Sequence, residues 1–260
     1  MKEKTIYYHD ELNDDFKKTK LNRPPLKENY KYKRTNRFNN LLSDFLFFCI
    51  AKPVFYVINF FSGVKYHNVK NLKELKNKGA FIYSNHTTFY DMFTIQACVV
   101  RGKRTNIIGY SDTTSIPVVR HIGRALGYLP LPDTLKLTKA FQDSLDFYIN
   151  EKKEHILIFP EAHVWPFYTK IRPFVAGSFH YPAKLNAPII PIVTTYRKRK
   201  FRKKPGIDIR VGTPIYPKEE LDLKGNKQYL RDACYEQMVE ISNSVSQYEY
   251  IKYVKVEENK

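Results

Sequence analysis

At 260 residues, with 43% hydrophobic and 15% aromatic side chains, the chain can bury the core of one large α/β domain or two small ones, which excludes collagen-like, coiled-coil-only and wholly disordered architectures. Its 44 Lys and Arg stand against 26 Asp and Glu, a formal charge of +18 that favours anionic partners: nucleic acid, lipid headgroups, or phosphorylated and CoA-bearing substrates. The three cysteines, Cys49, Cys98 and Cys234, form no CxxC pair, so neither a disulfide framework nor a cysteine zinc site is encoded and a reducing setting is expected.

The first fifteen residues mix charges where a secretory signal needs an apolar core, so export is not expected. Residues 1–37 are polar and basic and read as an irregular arm. The run from Leu41 to Phe61 approaches the length of a bilayer-spanning helix, but Asp44 and Lys52 are costly at depth and Pro53 interrupts the hydrogen-bond ladder. Two short helices over residues 38–64, lying in a membrane interface with Arg34, Arg37 and Lys65 near headgroups, suit these interruptions; a buried helix pair is the alternative. After the charged linker Lys70 to Gly79, residues 65–260 alternate apolar runs with helical patterns, as an α/β domain with a mixed sheet flanked by helices does. Strands are predicted at 80–83, 106–109, 128–131, 155–159, 188–193 and 207–211, and helices from Phe89 onward, from Thr134 to Asn150 and from Lys227 to Gln247.

The sharpest local feature is Asn85-His86-Thr87-Thr88-Phe89-Tyr90-Asp91, placed where the strand AFIYS gives way to a helix. A histidine whose second ring nitrogen meets a carboxylate is a strengthened general base, and His86 and Asp91 form such a pair if His86 lies in the turn and Asp91 reaches back. Thr88 and Asp91 are also spaced as a capping box, and the two readings are compatible. No serine or cysteine sits in a matching nucleophile motif, so the base would act on a hydroxyl brought by a substrate. Phe159-Pro160-Glu161 puts a carboxylate at the carboxyl end of another strand, where open α/β sheets carry their sites; a solvated turn is the plainer reading. Glycine motifs of P-loop, dinucleotide-binding and serine-elbow type are missing.

The order HTTFYD, GYLPLP, FPE, Gly177 and APIIPIV resembles the glycerolipid acyltransferases of the 1-acylglycerol-3-phosphate (lysophosphatidic acid) type over about residues 65–215. The resemblance implies transfer of a fatty acyl group from acyl-CoA or acyl-carrier protein to a lysophospholipid hydroxyl. In it His86 is the general base, Asp91 orients it, and Glu161 helps to hold the acceptor, with Asn85 counted among the substrate-binding residues. It implies no metal or redox cofactor, and an amino-terminal helical pair at the cytoplasmic face of the cell membrane, in agreement with the reading of residues 38–64.

Two blocks depart from the family's pattern. Where it continues FPEGTRS, this chain reads FPEAHVWPFYTKIRPF, so the arginine implied to contact the acceptor phosphate is missing, and Lys170 or Arg172, with His163, are the nearest substitutes. Asp133 occupies the place of the second motif's arginine, with Arg120 and Arg124 upstream. Another lysolipid or a glycolipid acceptor is therefore an open alternative. Trp165 and Tyr168 suit either packing or contact with acyl chain or headgroup. Arg197–Lys204 carries seven basic residues in eight, either a solvated loop or a contact for anionic headgroups or CoA phosphates. A non-catalytic protein using these charges on anionic membranes or nucleic acid is the rival from another class, although no nucleic-acid reading module is recognisable and none is expected as a partner.

Overall fold

A computed structural model describes residues 4–16, 26–88, 90–96, 103–111 and 122–256. In chain order these form strand β1 (Lys4–Tyr8), helix α1 (Arg37–Ser62), β2 (Lys65–His67), β3 (Ala80–Ser84), the short helix α2 (Asp91–Thr94), β4 (Thr105–Gly109), β5 (Tyr128–Pro130), α3 (Leu135–Asp146), β6 (His155–Ile158), α4 (His180–Lys184), β7 (Ile189–Arg197), β8 (Gly206–Val211), α5 (Leu223–Asn243) and β9 (Ile251–Lys255). The six strands and the later helices expected from the sequence are all present, within a few residues at their ends.

Seven strands make one sheet in the order β2-β8-β7-β3-β6-β4-β5. From β7 to β5 every pairing is parallel. The short connection after β7 returns directly into β8, which is therefore antiparallel to it, and β2 runs with β8, so the sheet is mixed. Both faces are covered, which explains why the central strands are apolar throughout rather than alternating. Phe81, Tyr83, Ile156, Ile158, Ile189 and Val193 pack with α3 and α5. Ala80, Ile82, Leu157, Ile190 and Ile192 pack on the other face with Leu75 and Ile95.

Residues 38–64 do not form a helix pair. They lie in a single helix, and the stretch Leu46–Ala51 is wound as a π-helix in which the Lys52 N–H bonds to the Phe47 carbonyl. The π turn shifts the ladder just ahead of Pro53, which then falls in the first turn of the resumed α-helix, where its missing N–H costs little. It also keeps one face inward: Ser43, Phe47, Lys52 and Asn59 are buried, and the step of five between Phe47 and Lys52 is the one extra residue the bulge inserts. That inward face is largely polar. Ser43 donates to the Ala125 carbonyl, Asp44 pairs with Arg104 at 2.7 Å, and Asn59 bonds Tyr66 and Thr94. The apolar face points away from the protein, with Phe38, Leu41, Phe45, Val57, Phe60 and Phe61 all exposed. By length and composition α1 could cross a membrane.

The described parts of the amino-terminal arm are not simply irregular. β1 pairs in parallel with β9, from Lys4 opposite Ile251 to Tyr8 opposite Lys255, in a separate two-stranded sheet. Further along, Leu26, Tyr32 and Arg34 are buried, and Arg34 pairs with Glu154 at 2.7 Å. Lys17, Lys18, Lys20, Arg23, Pro24 and Pro25 lie outside the described residues.

Candidate active site

Register brings the two motifs level. Tyr83 on β3 is opposite Ile158 on β6, so His86 and Glu161, each three residues further on, emerge side by side at the carboxyl ends of adjacent parallel strands. On the other flank Ser84 pairs with Ile192 of β7, which sets Thr194 and Tyr196 beside Asn85 and Thr87.

The His86 turn closes on Asp91. One Asp91 oxygen, Oδ2, accepts the backbone N–H groups of Thr87 and Thr88 at 2.6 and 2.7 Å, while Oδ1 accepts the Thr88 hydroxyl at 2.6 Å. The same Oδ2 faces His86 Nδ1 at 3.5 Å. Capping and histidine orientation are thus performed together by one carboxylate reaching back from the first turn of α2. The His86 ring is stacked on Phe159, with centroids 4.1 Å apart and planes at 14°. It borders a cavity of about 400 Å3 whose other walls include Ile107, Tyr128, Leu131, Ile158 and Tyr181. An imidazole held at the mouth of an apolar cavity, with Nδ1 turned to a carboxylate, has Nε2 left to take a proton.

Two further layers hold the turn. Tyr196 donates its hydroxyl to Thr87 Oγ1 at 2.6 Å, and burial followed by the nearby Asp91 charge holds its phenol well above the ordinary value, so it stays a donor. Glu161, wholly buried, accepts the His86 N–H at 3.2 Å on Oε2 and the Arg172 N–H at 3.0 Å on Oε1, and pairs with the Arg172 guanidinium at 3.3 Å. Burial pushes the Glu161 carboxyl above its usual range, and Arg172 pulls against that shift.

The family model described as Acyltransferase matches residues 63–195, just over half of the chain. The chain belongs to the acyltransferase family. Among solved structures this acyltransferase resembles the 1-acyl-sn-glycerophosphate (LPA) acyltransferase PlsC from Thermotoga maritima, with a TM-score of 0.57 and 18% identity, over 83% of this chain and 86% of that one. At that identity the likeness is one of fold. No curated protein matches the chain.

Of the residues singled out in the sequence, His86, Asp91 and Glu161 come together, and several others do not face the cavity. Asn85 is buried and stitches the turn to β7, accepting the Thr194 N–H at 2.8 Å and donating to the Thr194 carbonyl at 3.0 Å. Arg172 is 0% exposed. Its guanidinium bonds Glu161 and the carbonyls of Glu11 and His163 and lies over the Trp165 ring, which removes it as a contact for an acceptor phosphate. Glu161 correspondingly directs its oxygens to His86 and Arg172. Arg124 reaches the Lys33 carbonyl at 2.9 Å and ties the arm to the domain. His163 pairs with Asp15 at 3.6 Å. Lys170 is exposed, and Arg120 lies outside the described residues, as does Phe89 of the histidine motif. Trp165 and Tyr168 are buried, the packing alternative. Tyr196 and the Phe159 stack were not found from sequence; the alternation that places Thr194 and Tyr196 on one side of β7 is the signal that points to them. Among the described residues no cluster of three His, Cys, Asp or Glu could hold a metal.

Proposed function

We propose that the protein transfers a fatty acyl group from acyl-CoA or acyl-carrier protein to the free hydroxyl of a lysophospholipid, 1-acyl-sn-glycerol-3-phosphate first among them, giving phosphatidic acid. The observation that carries this reading is His86 at the mouth of the apolar cavity with Nδ1 directed at Asp91. His86 Nε2 takes the hydroxyl proton as the oxygen attacks the thioester carbonyl; the tetrahedral intermediate collapses, the C–S bond breaks, and the proton passes to the leaving thiolate. Asp91 keeps the tautomer and balances the imidazolium. The cavity accepts the acyl chain. The reaction as written needs no metal or redox group.

A lysophospholipid acceptor favours work at a membrane surface, and the outward apolar face of α1 supplies the contact. Beside it stands the loop after β7. Arg199 donates to the Ser62 carbonyl at 2.9 Å, and Arg197 bonds the Gly63 carbonyl and pairs with Asp208, so the loop is fastened to the carboxyl end of α1. Its remaining charges, Lys198, Lys200, Arg202, Lys203 and Lys204, are exposed around Phe201. A peripheral position on the anionic cytoplasmic leaflet fits this surface.

A second acceptor class is favoured by one observation: no Lys or Arg is among the described residues that line the cavity, and Arg172 is engaged elsewhere. A lysolipid or glycolipid without a phosphate monoester is that alternative. The test supplies purified protein with labelled acyl-CoA or acyl-carrier protein and a panel of lysolipids in vesicles. Highest kcat/KM with lysophosphatidic acid is the expected result; preference for an uncharged or zwitterionic acceptor selects the alternative, and absence of transfer with every pair contradicts the enzymatic reading.

A further inference from the structure

The first and last strands, β1 and β9, meet beside the loop that abuts the catalytic turn. β1 and β9 pair along five residues, and after β1 the segment to Phe16 continues as a strap across the loop between Glu161 and Arg172. Trp165, the one tryptophan of the chain, is the centre of this contact. Its ring meets Tyr8 edge-on at 4.9 Å and Phe16 at 5.0 Å and stacks on Tyr253 of β9 at 5.2 Å. Its indole N–H donates to the Asp14 carbonyl at 2.8 Å, and Arg172 donates to the Glu11 carbonyl at 3.1 Å.

The loop so held is bonded directly to the catalytic turn. The Trp165 N–H donates to the His86 carbonyl at 3.1 Å, and the Phe167 N–H to the Thr87 carbonyl at 3.0 Å. Glu161 takes the His86 N–H from the other side. Two backbone–backbone bonds and one bond to the Glu161 carboxylate therefore tie the turn that carries His86 to a loop whose outer surface is covered by the strap. The loop itself has little regular structure, and Phe167 sits at a φ of 59°, a left-handed conformation that a non-glycine residue keeps only when its surroundings hold it.

We propose that residues Lys4–Phe16 are a positioning element of the active site: docked on Trp165 and Arg172 and clasped by β9, they hold the loop that sets the His86 ring relative to Asp91 and the cavity. The inference rests on the reading of His86 as general base. With the strap gone the base is present but misplaced, and a displacement of about 1 Å at a catalytic group can cost about a hundredfold in rate. None of residues 4–16 is among the described residues that line the cavity, so binding of the donor there should be spared.

The test uses the full chain carrying Tyr8→Ala and Phe16→Ala together, and a second variant lacking residues 1–16. Steady-state transfer is measured with the labelled donor and the best wild-type acceptor, kcat is expressed per folded molecule from a thermal melt, and Trp165 emission reports docking. The expected result is a kcat lower by about tenfold to a hundredfold, a donor KM within about twofold of wild type and red-shifted emission. Tyr8→Phe with Phe16→Tyr, which keeps both rings, should restore kcat. If the shortened chain does not fold, the double alanine variant decides. A kcat within about twofold of wild type in either folded variant, whatever the emission, overturns the proposal, as does a loss that only follows the folded fraction. If wild type transfers acyl groups, His86→Ala does not, and the strap variants keep their kcat, this inference alone fails; if wild type is inactive with every donor and acceptor, the proposed function fails first.

Discussion

Replacing Phe60 and Phe61 by alanine tests how the protein meets a membrane. The two side chains are 79% and 69% exposed at the end of α1, so their removal should leave the fold alone and act on whatever medium they touch. Full burial of a phenylalanine is worth about 1.5–3 kcal/mol. An interfacial helix sinks its apolar face only partly, so about 1 kcal/mol for each ring is a fair share, or roughly 2 kcal/mol for the pair. That is about a thirtyfold weaker partition coefficient. Sedimentation with vesicles rich in anionic lipid gives the coefficient directly, and Leu135→Ala, at a residue 90% exposed on α3, is the control. The loss from the phenylalanine pair should persist when salt is raised, because burial is not screened. Neutralising the five exposed cations of the loop after β7 should instead cost up to about 1 kcal/mol each and flatten the salt dependence. A change of less than about twofold for the phenylalanine pair, or an equal change for Leu135→Ala, would refute the claim that the outward face of α1 enters the bilayer surface.

Other outcomes follow from the packing. Tyr196→Phe removes the hydroxyl that holds Thr87, and a lost buried hydrogen bond of about 1 kcal/mol predicts a kcat about fivefold lower with little change in donor KM, measured in the same transfer assay. Arg172→Met leaves Glu161 buried without its cation and should cost about 3 kcal/mol or more in urea unfolding, whereas Lys170→Ala, at an exposed site, should cost almost none; equal stability of the two variants would contradict the structural role of Arg172. Burial, with help from Lys103, depresses the His155 pKa to about 3. Below about pH 6.5 the unfolded chain takes up a proton that the folded one refuses, so this group's contribution is whole above that pH and shrinks by about 1.4 kcal/mol per unit as pH falls toward 3. Between pH 7 and pH 5 wild type should lose about 2 kcal/mol more than His155→Gln in urea unfolding, and parallel losses would show that His155 is not the cause.

The central strands were legible because each is buried on both faces and so reads as an unbroken apolar run, AFIY, HILIF and PIIPIV among them. β2, three residues reading KYH, carries no such signal. β1 and β9 join positions at opposite ends of the chain, and nothing local in either announces the pairing. Pro53 reads as a break because a proline inside an α-helical ladder normally is one; the π turn ahead of it is a rearrangement that periodicity does not reveal. At the site, the His86 and Asp91 pair was legible because both residues belong to one turn. The place of Arg172 is not legible because a sequence displays charge without burial: its guanidinium is buried and paired with the Glu161 carboxylate. The place of Asn85 is likewise hidden, because it is the parallel register of β3 and β7 that gives its amide a backbone partner.

The most direct test of the account is the steady-state rate of acyl transfer by His86→Ala beside wild type, with labelled donor and the best acceptor. Loss of a positioned general base should lower kcat by about a hundredfold to ten-thousandfold, with donor KM nearly unchanged because the walls of the cavity remain. A His86→Ala protein that is folded and as fast as wild type would contradict it.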